Sequence, residues 1–360
     1  MYIYIALAIL LTIAQFANKN KNLIFSTLVA FVFCILAFRA ENIGIDLPGY
    51  VDLFESNDFS RSFLEPAYVL YSNVLHSLSN SVLFFIIVTS LTTLAPVVFV
   101  IIKESNNRLY SLFYFVISTH YFFLFSGLRQ SISISFLLLA FYYLRKRKEK
   151  LSFLWYVLAG LFHTASWIFV FIYIIDRMTL KKKFLYILLI ASTIASFVID
   201  PYYFFTFVND RGGELVNYSN QGEDALNYYS SYSSYLTGSQ LPFLRIIQYT
   251  IPYVFIAFII LHFSTDLHKK KEVYSKIFIF GVIINNLVIG NPIGFRLMKA
   301  PLLLAMLLIP LVFDICKNRK ALYFGYSFYL MIIYSYYILA RTVTHFENDI
   351  IPYQLNSVLY

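Results

Sequence analysis

Ser126-Gly127-Leu128-Arg129-Gln130-Ser131 is a short polar turn set between two apolar runs, residues 109–125 and 128–144. Each run is long enough to cross a hydrocarbon core as a helix. Read that way, the stretch is a helix, a turn and a returning helix, with a guanidinium at the mouth of the second. Such a charge is expensive in a bilayer, so Arg129 marks a candidate functional site from the outset.

Runs of the same kind recur from end to end. Of 360 residues, 59% are hydrophobic and 13% charged, and the mean hydropathy of +0.69 lies outside the range of soluble domains. A lipid-embedded chain cannot leave backbone groups unpaired, and these runs are far longer than barrel strands. The fold class is therefore all-α: a polytopic helical membrane protein, read as one integral membrane domain over residues 1–360.

Lys/Arg clusters taken as cytoplasmic order the spans. Helices over about 2–17 and 23–38 flank NKNKN, with the first entering from outside and retained. A polar outer segment, 39–80, follows. Helix 81–102 returns to KESNNR, 109–125 rises to the SGLRQ turn, and 128–144 descends to RKRKEK. Residues 151–175 then form one apolar run with basic clusters on both flanks. A single crossing would put every later lysine cluster on the wrong side. The run is therefore expected to be a re-entrant hairpin whose legs rise roughly 18 Å each, too short to span. Its apex is Gly160-Leu161-Phe162-His163-Thr164.

Helix 184–200 leads out to a Tyr/Ser-rich outer segment, 201–241. Helices 243–263, 277–290, 297–313 and 321–340 follow, with HKKKEVYSK and DICKNRK as inner loops and 341–360 as an outer tail. The expectation is about ten full spans plus the hairpin, with both termini outside.

The net charge of +9 does not imply nucleic acid, because the basic residues sit in short loops between apolar runs. On this topology the inner side holds 20 of the 28 basic residues, 15 of them lysine. The outer side holds Arg39, Arg61, Arg129, Arg211, Arg245, Arg296 and Arg341 against one lysine, Lys299, together with 13 of the 19 acids. Positive-inside loops use lysine freely, whereas bidentate recognition of phosphate selects the planar guanidinium. Cys34 and Cys316 fall on opposite sides, so no disulfide is expected. No His/Asp/Glu cluster has metal-ligand spacing, and no cofactor is implied.

Arg129 opens its helix with Ser126 available as N-cap, so free N–H groups and the positive helix end point where the guanidinium points. A phosphate suits that place, and so does a pairing with an outer acid. Arg296, in NPIGFR, repeats the arrangement with Lys299 one turn on. His163 is a candidate general base at the hairpin apex, or a hydrogen-bonded structural histidine. In the first outer segment Arg39, Asp46, Tyr50 and Glu65 suit sugar hydroxyls, and either carboxylate is another candidate base. A solvated loop with an interfacial tyrosine belt accounts for the same residues.

With these residues in hand, the chain resembles the EpsG family of polysaccharide polymerases, relatives of the Wzy-type O-antigen polymerases. The resemblance rests on RAENIGIDLPGY from Arg39, EPAY at 65–68, GLRQ at 127–130, LFHTAS at 161–166, GFRL at 294–297 and IPY at 351–353, in that order. It implies a bacterial cytoplasmic membrane enzyme with an architecture like the multi-helix type C glycosyltransferases. Such an enzyme transfers a glycan from undecaprenyl diphosphate to the non-reducing end of another lipid-linked unit at the outer face, without a metal. Its implied partners are that lipid-linked oligosaccharide, the bilayer, and a chain-length regulator and flippase of the same pathway.

On this reading Arg129 and Arg296 bind diphosphate with Arg39 and Arg245 in support, and Gln130 and Tyr50 bind substrate. His163, Asp46 or Glu65 takes the acceptor proton, with His163 preferred. The competing readings are an O-antigen ligase using the same donor, and a flippase or transporter of lipid-linked oligosaccharide.

Overall fold

The computed structural model describes residues 2–17, 19–58, 64–118, 120–198, 250–288, 292–316, 318–344 and 353–356. Among them every regular element is helical, and the one extended pairing is an isolated antiparallel bridge between Arg39 and Leu355. Among the described residues three helices are long and apolar enough to cross a membrane: Val82–Glu104, Met298–Ile315 and Lys320–Leu339. The pair Arg108–Ile117 and His120–Ser126, bent by 55°, makes a fourth if counted as one span. The chain is a helical membrane protein, and its described residues divide into two compact units.

The first unit comprises residues 1–171 and 306–360. It contains α1 (Tyr2–Ala14), α2 (Lys21–Ala37), α3 (Leu47–Ser56), α4 (Pro66–Leu78), α5 (Val82–Glu104), α6 (Arg108–Ile117), α7 (His120–Ser126), α8 (Leu128–Arg145) and α9 (Glu149–Phe162). The outer segment 39–80 is thus more structured than a polar connector. Pro48 and Pro66 open α3 and α4 in the first turn, where a missing N–H costs nothing.

α8 is the hub of this unit, and its serines explain how. Ser131 donates to the Phe123 carbonyl, Ser133 to that of Ala159 and Ser135 to that of Thr93, at 2.6–3.2 Å. Small hydroxyl residues let helix backbones approach and hydrogen-bond across the contact where the hydrophobic effect supplies no force between helices in lipid. Ser131 and Ser135 lie on one side of α8, toward α7 and α5, and Ser133, about 200° round the helix, binds α9 on the other.

After α9 the chain turns back on itself. His163 is extended (φ −156°, ψ 110°) and ends α9, and a 3-10 helix, Thr164–Val170, runs back along it. The Tyr156 hydroxyl donates to the Trp167 carbonyl at 2.7 Å, and the two rings meet edge to face at 5.5 Å. Gly160 makes the contact possible, since a Cβ there would lie 2.5 Å from the Trp167 ring. Ser166 Oγ, 2.6 Å from Ser133 Oγ, pins the returning strand of chain to α8. The chain therefore breaks within the expected apex.

The Arg39–Leu355 bridge closes the first unit. Ala40 N–H donates to the Gln354 carbonyl at 2.9 Å, Asn356 N–H to Phe38 at 3.0 Å, and the Tyr353 hydroxyl to Ile35 at 3.0 Å.

The second unit, residues 172–305, contains most of α10 (Phe171–Arg177), then α11 (Lys182–Val198), α12 (Ile251–His262), α13 (Ser264–Val288) and α14 (Pro292–Leu303). α15 (Ala305–Ile315) and α16 (Arg319–Thr344) lead back into the first unit. HKKKEVYSK, expected as a loop, is helical within α13. Charge there marks where the apolar stretch ends, not where the helix does.

Candidate active site

Three of the sequence motifs meet at one carboxylate. Pro66 holds the preceding residue out of the helical region, so Glu65 is extended (φ −64°, ψ 143°) and its side chain leaves the axis of α4. Only 5% of that side chain is exposed. Its Oε2 accepts from Arg129 Nη1 at 2.5 Å. Its Oε1 is 3.0 Å from His163 Nδ1 and accepts the Thr164 backbone N–H at 3.1 Å.

Burial pushes the Glu65 carboxyl up. The His163 hydrogen bond, the Arg129 charge and backbone N–H donors outweigh it and bring its pKa down to about 2, from 4.5. It is ionised at any physiological pH and too weak a base to take a hydroxyl proton. An ionised partner makes Nδ1 the protonated nitrogen of His163, which leaves the Nε2 lone pair for other work. Nε2 has no partner among the described residues, and 24% of the side chain is exposed.

Arg129 is the second residue of α8 and 25% exposed. Its Nε donates to the Tyr50 hydroxyl at 3.1 Å, and its guanidinium carbon lies 5.8 Å from that ring. Two guanidinium nitrogens are thus engaged, and Nη2 has no partner among the described residues. Burial pushes the Tyr50 hydroxyl up against the opposing Arg129 charge, so it stays neutral and keeps its proton to donate. Tyr50 packs at 5.5 Å on Tyr68, which with Ile132 and Phe162 joins α4, α8 and α9 beside the polar cluster.

The other expected site residues lie as follows. Asp46, half-buried, precedes α3, and its charge reaches Tyr50. Its backbone N–H donates to Ser126 Oγ at 3.0 Å. Ser126 therefore does not cap α8 as expected: Gly127 occupies the cap position, because the serine hydroxyl is turned toward the segment before α3. Gly44 allows that close approach, with φ +122° and with the Phe125 carbonyl 2.1 Å from where a Cβ would stand. Gln130 is buried in α8.

Arg39 is 1% exposed. Its guanidinium donates to the Leu36 carbonyl, and at 3.4 Å to Ser90 Oγ and the Phe125 carbonyl, above the Phe125 ring. Arg296, partly buried in α14, belongs to the second unit. Arg245 and the segment 201–241 lie outside the described residues.

Sequence reasoning missed Thr164, whose N–H joins the carboxylate, and the Ser133–Ser166 pair that seats the turn. The alternating serines of Ser131-Ile132-Ser133-Ile134-Ser135 in an apolar helix were the available signal. Among the described residues no group of three or more His, Cys, Asp or Glu side chains is placed to hold a metal ion.

The cluster resembles a carboxylate–imidazole pair with a guanidinium attached. Glu65 offsets the charge of Arg129 and can stabilise an imidazolium at His163, an arrangement chemically able to take up a proton at Nε2 and to meet an anion at Arg129 Nη2. A family model described as EpsG family matches residues 22–355, whereas no curated protein and no solved structure matches the chain. Since the match runs through EPAY, GLRQ and LFHTAS alike, the chain belongs to the EpsG family, which is a family of Wzy-like polymerases.

Proposed function

We propose that this chain polymerises lipid-linked saccharide repeat units, transferring a glycan from undecaprenyl diphosphate to the non-reducing end of a second lipid-linked unit. The observation that carries the reading is the convergence of Glu65, Arg129 and His163, from three separate motifs, on one hydrogen-bonded cluster. A polymerase of this class must deprotonate a sugar hydroxyl and stabilise a departing diphosphate. This cluster holds one group suited to each task.

In the proposed step the acceptor hydroxyl gives its proton to His163 Nε2 as its oxygen bonds the donor's anomeric carbon. The carbon–oxygen bond to the diphosphate breaks, and its electron pair leaves with the phosphate oxygen. Arg129 Nη2, the opening of α8 and the Tyr50 hydroxyl receive that charge. Glu65 holds the imidazole tautomer and offsets the imidazolium. Arg296 and Arg245 are proposed as further diphosphate ligands, with Gln130 and Asp46 on the saccharide side. Arg39 is assigned to bracing the chain before the SGLRQ turn.

The same reading has about ten spans in a bacterial cytoplasmic membrane, with both termini, the cluster and the turn at His163 on the outer side. The excess of arginine over lysine on that side supports it.

The test is the purified protein given one lipid-linked repeat unit in vesicles. A ladder of longer glycans with release of the lipid diphosphate is the expected product. Unit appearing across the bilayer without a ladder points to a transporter, and transfer of a single unit to a lipid A core acceptor points to a ligase. Either result overturns the proposal.

A further inference from the structure

The second unit contains a cavity of about 340 Å³ lined by the start of α11, the end of α12 and the middle of α13, and none of its lining residues belongs to the Glu65 cluster. Its walls are apolar, with Leu185, Ile260 and Ile279 all buried. Its polar lining is Lys181, Lys182, Glu272, Ser275 and Lys276, with Thr179 beside them.

These charges do not cancel. Lys276 is committed, with Nζ 2.8 Å from Glu272 and donating to the Met178 carbonyl at 2.9 Å. Lys182 donates to the His262 carbonyl at 2.9 Å, which uses one of its three N–H groups. Lys181 and the remaining donors of Lys182 are left as net positive charge. Ser275 supplies the second observation. It is only 8% exposed, and its Oγ has no hydrogen-bond partner, although a buried hydroxyl ordinarily has one. A cleft with two cations, an unsatisfied hydroxyl and hydrocarbon walls fits an amphiphile with a phosphate headgroup.

We infer that this cleft binds the headgroup of an anionic phospholipid, with phosphate on Lys181, Lys182 and Ser275 and the upper acyl chains along Leu185, Ile260 and Ile279. Basic pockets between membrane helices are suited to such headgroups. On the topology read from the sequence, Lys181 and Lys182 belong to the inner, lysine-rich loops, so the lipid would come from the inner leaflet. Its occupancy is independent of whether the chain polymerises saccharides.

The experiment is native mass spectrometry of the full chain released from vesicles of phosphatidylglycerol and phosphatidylcholine. Wild type is expected to retain phosphatidylglycerol selectively. Lys181→Gln with Lys182→Gln is expected to lower that retention roughly tenfold or more, from the contribution of a lysine near an anionic surface. Ser275→Ala, which keeps all charge, is expected to lower it about threefold to tenfold. Lys148→Gln with Lys150→Gln, in the RKRKEK cluster, controls for surface charge. An equal loss in that control overturns the proposal, as does unchanged retention in Ser275→Ala and the lysine pair. Release of the lipid by inorganic phosphate as effective as release by phosphatidylglycerol headgroup would assign the cleft to free phosphate and overturn the lipid.

Discussion

Glu65 Oε1 and His163 Nδ1 lie 3.0 Å apart although 98 residues separate them in the chain. The contact joins the start of α4 to the turn after α9, and Arg129 binds the other oxygen of the same carboxylate. Glu65→Gln keeps the shape and removes the charge. It is expected to cut polymerisation by about 10²-fold or more, because the imidazolium loses its counter-ion. It should also destabilise the protein by about 1–3 kcal/mol, because Arg129, a quarter exposed and still bonded to Tyr50, loses the carboxylate that offsets its charge. Ladder formation and thermal unfolding in detergent measure the two effects, and full activity in this variant would remove Glu65 from the site.

The Glu65 pKa gives a pH signature with a defined sign. The folded value, about 2, is below the ordinary 4.5. Its stabilising contribution is therefore complete above about pH 4.5 and is lost as pH falls through about 2. For this buried group the difference amounts to about 3 kcal/mol. Wild type should lose unfolding temperature across that window more steeply than Glu65→Gln, which has no carboxylate to protonate. Parallel acid profiles would contradict the assignment.

Two substitutions separate the nitrogens of His163. Asparagine can present an N–H near the position of Nδ1 and keep the bond to Glu65, but has nothing in place of Nε2. His163→Asn is expected to fold nearly as well as wild type and to lose about 10²- to 10⁴-fold in rate, the usual contribution of a general base. His163→Ala should lose both. If His163→Asn retains wild-type rate, the base is elsewhere, and Asp46 is the next carboxylate to substitute.

The turn behind His163 depends on a missing side chain. Gly160→Val inserts atoms where the Trp167 ring stands, and overpacking of this kind costs about 1–3 kcal/mol. Because Trp167 and Ser166 seat the turn, activity should fall further than stability. Trp167→Ala in the same chain makes room and should restore part of the loss, which assays of the single and double variants would show.

Arg39 should behave as a structural residue with no direct contact to substrate. Its guanidinium spans two backbone carbonyls and the Phe125 ring, a geometry that the point charge of lysine cannot reproduce. Arg39→Lys is expected to lower stability by about 1–3 kcal/mol and leave the affinity for lipid-linked unit unchanged. A raised KM with unchanged stability would put Arg39 at the substrate instead.

Much of the helical order was legible because apolar runs and lysine clusters are local signals. The break in the 151–175 run was legible for a different reason: only a reversal there kept the later lysines on one side. The pairing of Arg129 with an outer acid stood as one of two open readings, but nothing in the sequence chose Glu65 over Asp46. That choice depends on Pro66, which holds Glu65 extended, and on a turn that brings Thr164 N–H to the other oxygen of the same carboxylate. Ser126 is available as a cap in the sequence but does not serve as one, because its hydroxyl is turned to Asp46 N–H, a donor distant in the chain. α3 and α4 went unread although Pro48 and Pro66 marked their starts, since ten to thirteen residues with mixed polarity look like a solvated segment.

The Arg39–Leu355 bridge has a consequence for biosynthesis. Residues 38–40 leave the ribosome early, but their partners at 354–356 emerge after the whole second unit has been made. At ordinary elongation speeds that interval is roughly 15 to 60 seconds. Throughout it, the carbonyl and amide groups around Arg39 wait in an incomplete membrane bundle. A tag or truncation at 353–356 therefore acts on the closing of the first unit without touching the Glu65 cluster.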